Sequence, residues 1–151
     1  MPQPRPSSHP SLSGDPLSAL RSLPALRSLQ GASLHFVMSL RFCALCERAG
    51  RDPLADLAVH FGNVEAAGAV VDLAEGVTRL WPERFGLCRP CCHCLTPDEA
   101  TLAAMAEHAR AADREGFASL LDGFVRTDRH EALFDLSVQA VAALQGAMPA
   151  H

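Results

Sequence analysis

The chain has 151 residues and a formal net charge of −4, enough for one domain or one small domain with a tail, and without the basic excess of a whole-chain nucleic-acid footprint. Its apolar share of 48% is largely alanine and leucine, and aromatics make up only 5%, a composition that suits packed helices better than a sheet core. The 13 basic side chains are all arginine and tyrosine is absent. No stretch approaches the roughly eighteen uninterrupted apolar residues of a membrane span, so no membrane partner is expected. No signal peptide opens the chain, and the expected setting is cytoplasmic, where thiols stay reduced and clustered cysteines bind metal in preference to forming disulfides.

Residues 1–37 are spaced by Pro2, Pro4, Pro6, Pro10, Pro16 and Pro24 among serine, leucine and arginine. Proline at that density blocks long helices and sheet pairing, so the segment reads as a disordered or over-extended start ahead of an ordered sequence opening at Met38. Residues 38–95 then read as a metal-binding module, 96–146 as C-terminal helices and 147–151 as a tail.

Within the module, Cys43-Ala-Leu-Cys46 reads as a first cysteine turn, with Gly50 supplying a positive φ nearby. Asp52-Pro53 reads as an N-cap followed by proline at the first helical position. The segment Asp56 to Phe61 fits a helix or a strand. Val64 to Glu75 is a short buried helix ended by Gly76, and Val77 to Trp81 alternates as a strand would, with Trp81 as a core anchor.

Four of the six cysteines fall between Cys88 and Cys94, with His93 among them. A Cys-x-x-Cys turn aims two thiolates at one point, and two such turns supply four soft ligands of a tetrahedral zinc ion. The spacing therefore predicts a structural Zn²⁺ site of Cys43, Cys46, Cys88 and Cys91, with Arg41, Arg48 and Arg89 offsetting the surplus negative charge. Cys92, His93 and Cys94 are possible additional ligands. Cys88-x-x-Cys91-x-x-Cys94 also matches the start of an iron–sulfur run, and a redox-responsive site is a further alternative.

The C-terminal third carries the clearest helical signals. Thr96-Pro97-Asp98-Glu99 is a capping box, and Leu102, Met105, Ala109 and Ala112 form the face of a helix that Gly116 closes. Phe117, Leu120, Leu121 and Phe124 mark a second helix. Asp128 and Glu131 open a third, with Leu133, Phe134, Ser137, Val138, Val141 and Leu144 on one face and Gly146 at its end. That broad face would pack internally or pair two copies into a homodimer. His108 and His130 read as exposed.

From Phe42 to Thr101 the cysteine pairs, Leu57-Ala-Val-His60 and the run from Leu80 to Ala100 resemble the zinc-bearing HNH endonucleases and other treble-clef zinc proteins. The resemblance implies a ββα unit braced by the two cysteine pairs, with His60 as the general base that polarises a water against a phosphodiester. The chain departs from that pattern at three places: Phe61 stands where a second histidine often follows, Glu83 where an asparagine is usual, and Cys92 where a histidine is usual, with His93 displaced by one. The expected fold is thus mainly α with a small treble-clef-like zinc module (α+β) and two or three C-terminal helices. The expected function is a protein- or nucleic-acid-binding module with a structural Cys₄ zinc, with an HNH-like nuclease and an iron–sulfur or redox-sensing protein as the alternatives.

Overall fold

The computed structural model describes residues 25–89 and 92–147, and these are mainly helical. After a single 3-10 turn at Leu26–Ser28 come α1 (Gly31–Arg48), α2 (Pro53–Phe61), α3 (Val64–Leu80), α4 (Pro97–Arg110), α5 (Arg114–Leu121) and α6 (Thr127–Ala147). No strand forms among the described residues; an isolated bridge pairs Ala25 with Cys94. No helix among them is long and apolar enough to cross a membrane.

Local chemistry sets several boundaries. The Asp52 carboxylate accepts from the Leu54 N–H at 2.9 Å and Pro53 opens α2, while the Asn63 side chain caps α3. The Thr96 and Glu99 side chains satisfy each other's backbone N–H groups as a full capping box on α4. The helix and strand alternatives at Asp56–Phe61 resolve as helix.

Packing overrides the other local signals. Gly76, read as a helix terminator, lies inside α3, where an added Cβ would run into Leu136 of α6. The missing side chain is what lets α3 and α6 approach, so α3 runs on to Leu80 and absorbs the alternating Val77–Leu80 segment. Gly116 likewise does not close α4, which ends at Arg110; it lies in the first turn of α5, donating its N–H to the Asp113 cap at 2.9 Å. The third helix starts at Thr127, so Asp128 and Glu131, expected to cap it as a box, lie inside it instead.

The core is one continuous cluster. Helix α3 packs on α2 and α6, α1 packs on α4, and α4 also meets α5 and α6. Leu133, Phe134, Val141 and Leu144 of α6 are buried within the chain. Trp81 is the expected anchor, packed edge-on against Phe85 and Phe124 at 4.9 and 5.4 Å between ring centres. His130, expected at the surface, is buried, its Nε2 2.8 Å from the Val125 carbonyl.

The ordered region also begins earlier than Met38. Residues 31–37 form the first turns of α1, with Phe36 and Val37 fully buried and the Ser33 hydroxyl donating to the Ala103 carbonyl at 3.1 Å. Phe36 and Val37 belong to the hydrophobic core, so this part of the expected tail is an integral helix. Of the remainder, residues 1–24 and the end of the 147–151 tail lie outside the described residues.

A cysteine loop wrapped on a buried ion pair

The segment between α3 and α4 carries the second cysteine cluster and is organised by Arg41 of α1 and Glu99 of α4, both fully buried. Arg41 Nε donates to Glu99 Oε1 at 2.7 Å and Nη2 donates to Oε2 at 2.9 Å, a bidentate fork. The remaining guanidinium hydrogens go to the loop: Nη1 to the carbonyls of Cys92 (2.8 Å) and Arg89 (3.3 Å), and Nη2 to the carbonyl of Cys94 (2.9 Å).

Glu99 is saturated in the same way. Besides Arg41, it accepts from the N–H of Cys88 at 3.0 Å and of Thr96 at 2.9 Å. Burial pushes its carboxyl up, but these hydrogen bonds and the guanidinium outweigh that and hold it below the ordinary carboxylate range. Asp98 adds a second anchor, accepting from the Gly86 N–H at 2.8 Å and the Trp81 indole at 3.2 Å. On the other side of the loop, the Leu26 N–H donates to the His93 carbonyl at 2.7 Å. Among the described residues no buried side-chain nitrogen or oxygen lacks a partner.

With the main chain drawn inward, the cysteine side chains of the loop lie at its margin. Cys88 and Cys92 are half-buried; Cys94 and His93 are exposed. Burial first, and Cys92 second, push the Cys88 thiol up. A hydrogen bond from the Cys94 backbone, then Cys88, lower Cys92.

The first cysteine pair is elsewhere. Cys43 and Cys46 are not in a turn but within α1, both buried. At 3.6 residues per turn they point roughly 140–200° away from Arg41 around the helix. Cys43 lines a cleft of about 440 Å³ with Val71, Ala74 and Glu75 of α3 and a smaller one with Phe85 and Leu87, whereas Cys88 lines a cleft with Arg41, Ala44, Leu45 and Arg48. Burial, then the neighbouring Cys46, push the Cys43 thiol up to about 12. Cys91 lies outside the described residues, and among those described no three cysteine, histidine or acidic side chains converge as a metal site.

Compared with protein-family models, curated proteins and solved structures, the chain matches none. The expected ββα unit has no strands among the described residues. His60 is exposed on α2, lining with His35, Asp56 and Phe61 a cavity of about 270 Å³ that Glu83 and His93 do not enter.

The arginines expected to neutralise a metal site divide by role. Arg41 is spent on Glu99 and loop carbonyls, while Arg48 and Arg89 are exposed. The Arg41–Glu99 pair has no local signature in the sequence, its partners being 58 residues apart. The signal available was an arginine beside Cys43 on what is a helix, and an acid already assigned to a cap.

Proposed function

We propose that this is a small zinc-binding protein whose metal is held by the 88–94 loop and whose adjoining surface binds another macromolecule. The observation that carries the reading is that Cys88 and Cys92 lie at one margin of a loop whose backbone Arg41 and Glu99 clamp. Two soft donors on a backbone already held lose little conformational freedom on binding a metal, and a nearby guanidinium offsets thiolate charge. Cys91 and Cys94 complete a four-thiolate set by their proximity in sequence, with His93 as the substitute for either.

This ligand set departs from Cys43, Cys46, Cys88 and Cys91. A treble-clef-like site built on that set draws on two thiols that are buried in the core within α1, and we therefore favour the loop alone. A reducing, cytoplasmic setting belongs to the same reading.

Elemental analysis of anaerobically purified protein tests it. One zinc per chain without visible-range absorbance is expected, lost in a Cys88→Ser/Cys92→Ser variant and retained in Cys43→Ala/Cys46→Ala. Loss of zinc from the second variant restores the two-pair site, and iron with sulfide makes the protein an iron–sulfur protein instead. Robust plasmid cleavage abolished by His60→Ala would replace the binding module with an HNH-like nuclease.

A further inference from the structure

The solvent side of α1 and the segment Arg84–Arg89 enclose two adjoining clefts of about 340 and 290 Å³ that share Ala44, Arg48 and Leu87. Three exposed guanidiniums border them, Arg48, Arg84 and Arg89. None of the three is in an ion pair among the described residues, whereas Arg51, Arg110, Arg114 and Arg126 are each paired at the surface. The walls between them are apolar: Leu45, 48% exposed, with Leu87 and Phe85 half-buried. Glu47 is the acidic residue in the lining.

A chain of net charge −4 that gathers unpaired arginines along one groove concentrates positive potential there against a repulsive background. We propose that this groove binds single-stranded nucleic acid, with phosphates on Arg48, Arg84 and Arg89 and bases against Leu45, Phe85 and Leu87. The planar guanidinium fork matches phosphate oxygens bidentately, and the alternation of cationic and apolar groups suits a strand that alternates phosphates and bases. An acidic peptide satisfies the arginines but leaves the apolar walls uncovered. The groove adjoins Cys88, so the inference names the partner of the binding module proposed above, but it needs no metal.

Fluorescence anisotropy of the full chain with labelled oligothymidylate and oligouridylate of about twelve nucleotides tests it. Three phosphate contacts on a single strand predict an affinity that falls roughly 20-fold between about 50 and 200 mM salt. The Arg48→Gln/Arg84→Gln/Arg89→Gln variant should lose binding while keeping the wild-type circular dichroism. Each single substitution should reduce the salt slope by about 0.7. The Arg51→Gln/Arg110→Gln/Arg126→Gln variant, with the same net charge change, should bind as wild type.

No binding at the lowest salt overturns the proposal, as do equal losses in the two triple variants or polyglutamate binding as tightly as the oligonucleotides. Zinc content measured on the same samples separates the two readings. Arginine-dependent binding by zinc-free protein keeps the groove and removes the metal, and zinc-loaded protein that ignores oligonucleotides does the reverse.

Discussion

Cys43 gives a direct test of whether the first cysteine pair ligates metal. A buried neutral thiol and a zinc-bound thiolate behave oppositely in alkali. In the structure burial, then Cys46, and then the carboxylates of Glu47 and Glu75, raise the Cys43 thiol from the ordinary 9.0 to about 12. The folded state therefore holds its proton over a range in which the unfolded chain has released it, and stability falls as pH rises through the unfolded value. With those two values the loss is about 1 kcal/mol at pH 10 and about 3 kcal/mol at pH 11. The chain is well suited to the measurement because it contains no tyrosine and no lysine, so thiols dominate titration above pH 9. Urea unfolding under strictly reducing, anaerobic conditions at about pH 8, 10 and 11, with far-ultraviolet thiolate absorbance alongside, should show this decline in the wild type. Cys43→Ala should flatten it by about the calculated amounts. Identical alkaline limbs in the two proteins would refute the reasoning, and a Cys43 already ionised at neutral pH would return it to the metal site.

Other perturbations act on the ion pair and on the start of the fold. Glu99→Gln leaves the Arg41 charge buried without its partner and should cost about 3–5 kcal/mol in chemical denaturation; Arg41→Met with Glu99→Met should cost less than either single change. Because the folded Glu99 carboxyl is depressed, its contribution is present above the unfolded value and lost as pH falls through the folded one. A wild-type acid transition below about pH 4.5 should therefore be missing from Glu99→Gln. His35 is lowered by burial and then by His60, so its protonation favours the unfolded chain. Stability should thus already decline below about pH 6.5, and less so in His35→Gln. A chain begun at Met38 loses Phe36 and Val37 from the core. As removal of one buried phenylalanine side chain alone costs about 3–5 kcal/mol, such a chain should fail to show a cooperative thermal transition.

What the sequence conveyed and what it concealed divide along contact distance in the chain. Asp52 with Pro53 and Thr96 with Glu99 are complete within four residues, so their chemistry is visible in the letters. Gly76 is equally visible but its letter points to a helix end, whereas the reason for it is Leu136 on another helix. Cysteine spacing has the same short reach. It records which thiols are neighbours along the chain, but Cys43 and Cys46 are buried inside a helix, whereas Cys88 and Cys92 belong to a loop that Arg41 and Glu99 hold. Arg41 is the residue that separates the two sets. Its side chain leaves α1 on the loop side and reaches Glu99, 58 residues further on. Glu99 was correctly assigned to the cap of α4, since Oε2 does accept the Thr96 N–H, but Oε1 is turned to Arg41 and the Cys88 N–H. One carboxylate thus starts a helix and fixes the cysteine loop. Local pattern revealed the first role, and the second needed the fold, because a capping acid gives no sign in sequence of what its other oxygen holds.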